Sequence, residues 1–177
     1  MANIRQIDGV KRLFVPILSL ATLLTVLLAA GCKPVIPNDE PTEAQPKLAT
    51  IKLYMGPEML DAEMALTPRQ EQTGMMYRTN IQETDSMIFV LPYPMQASFW
   101  MKHCPESISA AYISRDGIIQ EIHHLEQNDT NAVLSAQPNI QFVLETKEGW
   151  FTRHHISTGM VINTENGSLA NVFLRQQ

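Results

Sequence analysis

The sequence is poor in cysteine and glycine and contains no block of basic residues. Only two of the 177 residues are cysteine and eight are glycine, which leaves little room for a glycine-rich nucleotide loop. The formal net charge is −5, so nucleic acid is not an expected partner. Hydrophobic residues make up 45% and charged residues 18% of the chain, a composition typical of a globular domain rather than a disordered, collagenous or coiled-coil chain.

The longest apolar run lies near the N-terminus and resembles a secretory signal. Three basic residues within the first twelve precede an uncharged stretch from Leu13 to Ala30, and small residues then lead to Cys32. This order resembles the bacterial lipobox, in which the cysteine is acylated and becomes the new N-terminus. We therefore expect residues 1–31 to be a lipoprotein signal peptide and Cys32 to be the lipidation site.

An uncleaved membrane-anchor helix is the alternative, which Pro16 and the polar residues inside the apolar run disfavour. Cleavage before Cys32 would remove three basic residues and one acidic residue and change the formal net charge from −5 to −7. Because this charge repels an anionic membrane surface, attachment to the lipid bilayer would depend on the acyl chains. Lys33, where lipoproteins retained in the inner membrane carry Asp, favours the outer membrane facing the periplasm.

Residues 32–47 are predicted to be the lipidated cysteine and a tether. Four of these residues are proline, so the segment is unsuited to a helix or a central strand and favours an extended spacer. If Cys32 is acylated, Cys104 has no intramolecular disulfide partner. It is then either a buried small hydrophobic residue or a reactive or metal-binding thiol.

Residues 48–177 are predicted to form one compact α+β domain, with a curved or barrel-like, mostly antiparallel sheet and one or two short helices. Asp116-Gly117 between two apolar runs predicts a hairpin. Thr67 and Gln70 form a capping-box pattern around Pro68, which predicts a helix from Pro68 to about Tyr77. Apolar runs and apolar–polar alternation predict strands at 49–53, 60–66, 87–91, 98–102, 108–114, 140–145, 160–162 and 169–173.

The segment from Met64 to Ile162 carries motifs of a known family. Residues 69–78 read RQEQTGMMYR, and SMIFV at 86–90 and SFWMK at 98–102 follow. This order resembles the DUF192 family (domain of unknown function 192), whose pattern runs Gly-Leu-Met-x-Arg, Gly-Met-Leu-Phe and Phe-Trp-Met-Lys-Asn-Thr. The resemblance implies a fold and a secreted or lipid-anchored location, but no biochemical role.

The sequence departs from that family pattern at Ser109, where the family has Asp. If the family's acid is catalytic, this chain should lack the activity. If the acid only accepts hydrogen bonds from backbone N–H groups near a turn, Ser109 can partly replace it.

Trp100, Lys102 and Arg78 are the main candidates for a ligand surface. In a strand, Trp100 and Lys102 would share one face, and an indole beside a cation suits a sugar or another polar ligand. The structural alternative is that Trp100 covers the edge of the core, the Lys102 stem packs beside it, and Arg78 bonds carbonyls at the helix end. His103 and Glu145 complete the candidate ligand-binding set.

No metal site and no cofactor are predicted. The histidines occur at 103, 123–124 and 154–155, and adjacent residues of a strand face opposite ways, so a site would need ligands from distant segments. No hydrolase, phosphate-loop or zinc-protease motif is present, and Glu121 with Glu145 is the candidate carboxylate pair. We therefore assign no catalytic residue.

These observations favour a lipid-anchored, non-enzymatic ligand-binding or accessory module of the cell envelope, with a small polar ligand or an envelope protein as its partner. One alternative is an unrecognised periplasmic enzyme acting on a polar or sugar substrate. The other is a periplasmic metal-handling protein that uses His103 and Cys104.

Overall fold

A computed structural model describes residues 40–174 of the chain. Residues 1–39 and 175–177 lie outside the described residues. The predicted signal peptide and the lipidation site at Cys32 therefore remain predictions from the sequence.

The described residues form ten strands and three short helices. The helices are α1 (Pro68–Thr73), α2 (Trp150–Arg153) and α3 (Leu169–Phe173). The strands are β1 (Thr50–Met55), β2 (Glu58–Ala65), β3 (Ser86–Met95), β4 (Ser98–Phe99), β5 (Ile108–Ser114), β6 (Ile119–Leu125), β7 (Val133–Leu134), β8 (Ile140–Lys147), β9 (Asn163–Thr164) and β10 (Gly167–Ser168).

Eight strands form one curled sheet in the order β10-β9-β1-β2-β3-β8-β5-β6, and β4 pairs with β7 separately. All described pairings are antiparallel except β2 with β3, whose parallel alignment uses the connection that contains α1. The Asp116-Gly117 turn joins β5 to β6 as predicted. The compact, β-rich α+β fold predicted from the sequence is confirmed.

The two faces of the sheet are covered by separate apolar clusters. Ile88 of β3 packs in the Trp150 cluster, whereas its neighbours Met87 and Phe89 pack in the Phe89 cluster, because successive side chains of a strand alternate. The Trp150 cluster comprises Leu53, Met55, Leu60, Ala62, Ile88, Ala111, Ile113, Ile119, Phe142, Leu144, Trp150, Phe151, Ile156, Ile162 and Leu169. The Phe89 cluster comprises Ala65, Met75, Met76, Ile81, Met87, Phe89, Ala97, Met101, Cys104, Ile108, Ala110, Tyr112, Leu125, Ile140 and Val143.

Helix α1 begins with the predicted capping box. The Gln70 N–H donates to the Thr67 hydroxyl at 3.3 Å, and the Gln70 side chain accepts from the Thr67 N–H at 3.1 Å. The helix ends at Thr73, earlier than predicted, because Gly74 takes φ +45° and turns the chain. A Cβ at Gly74 would lie 3.3 Å from the Phe89 ring, so the missing side chain also allows this close packing.

Three predicted strands are corrected by the structure. The segment 160–162 forms only an isolated bridge between Val161 and Ile118, and strand β9 begins after it, at Asn163. The strand at 98–102 ends at Phe99, because the Met101 N–H donates to the Asp129 carbonyl and residues 101–104 form a turn. The segment 169–173 is helix α3 rather than a strand, because the Ser168 hydroxyl caps its first turn by accepting from the Asn171 N–H at 3.2 Å.

Residues 40–47, which the sequence places in the tether, lie along the turn that follows α1. The Tyr77 hydroxyl donates to the Pro41 carbonyl at 2.9 Å. The Gln45 side-chain amide donates to the carbonyls of Gly74 at 2.9 Å and Gln70 at 3.2 Å. This segment therefore satisfies carbonyl groups at the C-terminal end of α1.

Candidate functional site

A cavity of about 260 Å³ lies between α1 with its following turn, strand β3 and the segment that carries Trp100. This volume is close to the lower end of the roughly 300–1,000 Å³ typical of small-molecule sites. Its lining residues are mostly apolar, with one carboxyl from the sheet and one from α1. They are Glu71, Gln72, Thr73, Gly74, Met75, Met76, Phe89, Leu91, Ser98, Phe99, Trp100, Cys104 and Glu145.

Glu145 is the buried carboxyl group of this cavity. Strand β8 pairs it with Met87 of β3 and Ala110 of β5, and only 4% of the residue is exposed. Within residues 40–174, its Oε2 atom has no hydrogen-bond partner. Burial raises the pKa of Glu145 to about 8, although the nearby Arg78 guanidinium acts in the opposite direction. The carboxyl is therefore mostly protonated at neutral pH.

Trp100 forms part of the cavity wall and is still 46% exposed, so one part of the indole lies in solvent. The Lys102 ammonium lies 5.6 Å from the centre of the Trp100 ring, within the range of a cation–π contact. The prediction grouped these two side chains, and the structure places them side by side. The exposed indole gives the cavity an aromatic rim.

Arg78 is bound to Glu63, a carboxylate that does not line the cavity. Its guanidinium donates to both oxygens of Glu63 at 2.6 and 2.8 Å, and Glu63 also accepts the Leu48 N–H at 2.8 Å. Burial opposes ionisation of Glu63, but these hydrogen bonds outweigh it and hold the pKa of Glu63 below its ordinary value. Hydrogen bonding to Glu63 raises the pKa of Arg78 further. Arg78 thus links the turn after α1 to the interior strand β2.

Lys102 and His103 lie on the turn at residues 101–104 and share one carboxylate partner. Both bind Glu40, Lys102 through its ammonium and His103 through Nε2 at 3.1 Å. The hydrogen bond from Lys102 is the main reason that the pKa of Glu40 is lowered. His103 also stacks on Tyr77, with ring centres 5.0 Å apart. Neither residue lines the cavity. Of the five predicted ligand residues, Trp100 and Glu145 are the two that line it.

Cys104 lines the cavity as a buried thiol. The residue is 5% exposed, and burial together with the charge of Glu145 raises the pKa of the thiol to about 12. The thiol is therefore protonated at neutral pH and is a weak nucleophile. Its neighbour His103 points to Tyr77 and Glu40 instead, so the two side chains diverge.

His123, His124 and His154 are paired with carboxylates at separate places. His123 lies 2.8 Å from Glu121, and His154 lies 2.8 Å from Glu58. Glu121 also accepts the N–H groups of Ala136 and Gln137, and it does not line the cavity that contains Glu145. Among residues 40–174, no group of three or more His, Cys, Asp or Glu side chains is arranged to hold a metal ion.

Ser109 has a structural role at the end of the sheet. Its hydroxyl accepts the Gly149 N–H at 2.9 Å, in the turn just before α2. This is the second of the two roles considered for this position, the acceptance of a backbone hydrogen bond near a turn.

The family model for DUF192 matches residues 50–164, which is more than half of the chain. The chain belongs to the DUF192 family. That family is described as "Uncharacterized ACR", and the match includes the cavity residues from Glu71 to Glu145. No curated protein matches the chain.

Two solved structures resemble this DUF192 chain. One is a "putative transcription regulator" from Sinorhizobium meliloti 1021, with TM-score 0.63, 24% identity, and coverage of 68% of this chain and 98% of that one. The other is a protein of unknown function from Novosphingobium aromaticivorans DSM 12444, with TM-score 0.62, 24% identity, and coverage of 68% and 90%. These likenesses establish the shared fold. No helix among residues 40–174 is long and apolar enough to cross a membrane.

Sequence reasoning missed several cavity residues. Glu71 and Gln72 of α1 look like ordinary solvent-facing helix residues. The sequence does not distinguish whether Cys104 is a buried hydrophobic residue or a reactive thiol. The signal that could have found the cavity is Gly74: a glycine after a short helix allows α1 to lie close to β3, where Phe89 contacts it. Residues on both sides of that contact line the cavity.

Proposed function

We propose that this DUF192 protein is a lipid-anchored, non-enzymatic module of the cell envelope that binds a small ligand in the Trp100–Glu145 cavity. The signal-like N-terminus and the small residues before Cys32 support the location. The cavity supports the binding role.

The observation that carries the binding role is the unpartnered carboxyl of Glu145. A buried polar atom without a hydrogen bond costs roughly 1–3 kcal/mol, so proteins seldom retain one without a use. Glu145 lies in the central strand β8, where an apolar residue would pack without this cost. A ligand that hydrogen-bonds Oε2 would relieve this cost inside a mostly apolar cavity.

The cations near the site, Arg78 and Lys102, are each paired with a carboxylate of the protein. We therefore attribute ligand recognition to the cavity rather than to a charged surface. Arg78 is held by Glu63, and Lys102 is held by Glu40. Their charges are therefore compensated by the protein. Recognition then depends on Glu145, on the apolar walls and on the indole at the rim.

The binding role is tested with the full chain in a non-ionic detergent, labelled at the methionine methyl groups. A library of small cationic, neutral and anionic compounds is screened by NMR. We expect at least one compound to shift the Met75 and Met76 methyl signals saturably. Ser98→Trp, at the rim, should abolish these shifts, whereas Gln127→Trp, at an exposed loop position, should preserve them. A screen in which no compound shifts these methyls contradicts the binding role.

The anchor is tested by metabolic labelling with a radioactive fatty acid, followed by separation of inner and outer membranes. We expect label on the wild-type chain in the outer-membrane fraction and none on Cys32→Ser. Cys104→Ser is the matched control and should be labelled like the wild type, because its thiol is buried. An unlabelled wild-type chain, or one recovered with residues 1–31 still attached, contradicts the anchor.

A further inference from the structure

We propose that the ligand of the Trp100–Glu145 cavity is an organic cation: a primary ammonium group on a small, flat apolar body, with the ammonium bound to Glu145. This inference rests on the proposed binding function and specifies the chemical class of the ligand.

The walls of the cavity suit a flat apolar body. The aromatic rings of Phe89, Phe99 and Trp100 and the side chains of Met75 and Met76 line it. Phe89 and Phe99 pack edge to face, with ring centres 5.1 Å apart. Aromatic faces and thioethers bind flat apolar groups, and aromatic faces also attract cations.

The charges of the cavity select for a cation. Glu71 and Glu145 are the carboxyl groups that line it, and among residues 40–174 no Lys, Arg or His lines it. Burial raises the pKa of both carboxyls. The protein therefore supplies carboxyl groups here without a matching positive charge inside the cavity. A ligand ammonium would provide this charge and favour the ionised form of Glu145, whereas a ligand carboxylate would add a second uncompensated negative charge to the cavity.

The hydrogen-bonding geometry points to the same class. Oε2 of Glu145 is unpartnered within residues 40–174, and once Glu145 is ionised its carboxylate only accepts hydrogen bonds. A primary ammonium group carries three N–H donors, so it can satisfy this atom and form a charge-assisted hydrogen bond. An alcohol carries one donor and no charge, so it should bind more weakly.

Binding of a cation should release the proton of Glu145 to solvent. The groups whose charges act on or respond to Glu145 are Arg78, Cys104 and Tyr112, and Glu71 faces the same cavity. Arg78 stays charged and paired with Glu63, and the pKa values of Cys104 and Tyr112 are raised. Among these three groups and Glu145, Glu145 is therefore the one that titrates near neutral pH, and burial raises the pKa of Glu71 in the same direction. The affinity for the cation should therefore increase as the pH rises, by about tenfold per pH unit below the pKa.

The test uses three compounds with the same ring: benzylamine, benzyl alcohol and benzoate. Each is titrated into the full chain in non-ionic detergent while the Met75 and Met76 methyl signals are recorded. At about pH 7 we expect benzylamine to bind at least tenfold more tightly than benzyl alcohol, and benzoate to cause no saturable shift. Benzylamine affinity should increase between about pH 6 and pH 8, whereas benzyl alcohol affinity should stay constant.

Glu145→Gln removes the charge but keeps the shape, so it should abolish the preference for the amine and its pH dependence. Glu165→Gln, an exposed acid outside the cavity, is the control and should leave both unchanged. Equal binding of amine and alcohol, or a library whose only cavity binders are neutral or anionic, would refute the cation while leaving the binding function intact. A library without any cavity binder would refute the binding function itself. If Glu145→Gln fails to fold, the pH series on the wild type still tests the cation: a benzylamine affinity that stays constant between about pH 6 and pH 8 would refute it.

Discussion

Glu145→Gln should make the folded protein more stable, and the gain should depend on pH. In the folded state the pKa of Glu145 is raised from 4.5 to about 8 by burial. Between these two values the unfolded chain carries the ionised carboxylate while the folded chain carries the neutral acid. Glu145 therefore lowers the free energy of unfolding of the wild type progressively as the pH rises from about 4.5 to about 8. Below about pH 4.5 the carboxyl is neutral in both states and has no such effect.

The size of the effect follows from the same values. Each tenfold difference in proton affinity corresponds to about 1.4 kcal/mol, so the raised pKa removes up to about 5 kcal/mol at about pH 8. This is a large part of the roughly 5–15 kcal/mol that stabilises a typical domain. A glutamine has nearly the same shape and does not ionise. We expect Glu145→Gln to match the wild type near pH 4.5 and to exceed it by several kcal/mol near pH 8.

The assay is urea unfolding followed by tryptophan fluorescence at about pH 5, 6.5 and 8, with linear extrapolation to water. Trp150 is buried, with 2% exposure, and reports loss of the core. Glu63, whose pKa is lowered by its partners, adds a slope of opposite sign, but this slope is present in both proteins and cancels in the difference. A variant whose stability shows the same pH dependence as the wild type, or that is less stable at pH 8, would refute the reasoning.

Three further predictions concern the surroundings of the site. Arg78→Met leaves the carboxylate of Glu63 buried without its partner and should cost about 3–5 kcal/mol near pH 7 in the same assay, whereas Lys47→Met, in an exposed ion pair, should cost less than about 1 kcal/mol. A cost for Arg78→Met no larger than for Lys47→Met would contradict this. Thr67→Ala removes the helix cap and should cost about 1 kcal/mol, and no loss would show that the cap contributes nothing. The Cys104 thiol should react with iodoacetamide at least tenfold more slowly in the folded chain than in urea near pH 8, as followed by mass spectrometry; equal rates would show that the thiol is accessible.

Local signals in the sequence predicted much of the fold. The Asp116-Gly117 hairpin and the capping box at Thr67 and Gln70 depend on residues a few positions apart, so they could be read directly. The apolar run at 87–91 became the central strand β3 for the same reason. The parallel pairing of β2 with β3 was not predicted, because no local pattern records which distant strand becomes a neighbour.

The wrong elements have identifiable causes. The segment 169–173 has strand-like residues, but the Ser168 cap and packing of Leu169 in the Trp150 cluster favour helix α3. The strand at 98–102 was interrupted by a hydrogen bond to Asp129, about thirty residues further along the chain. Tertiary contacts overrode the local preference in both places.

The candidate site was only half predictable. The sequence identified Trp100 and Glu145 as candidates, and the structure places both at one cavity. It also grouped Arg78 and Lys102 with them, but their partners Glu63 and Glu40 come from a distant strand and from the segment assigned to the tether. Charge pairing over such sequence separations follows from the three-dimensional fold, so composition and spacing could not reveal it.

The separation of the two apolar clusters by the sheet has a consequence for how this scaffold can diversify. The cavity borders the Phe89 cluster, while Trp150, Phe151 and Leu169 pack on the opposite side of the strands. A substitution that changes the shape of the cavity therefore does not contact the Trp150 cluster on the other face of the sheet. Substitutions in the cavity wall can therefore be made without disturbing the packing around Trp150, which makes this wall a suitable target for directed evolution.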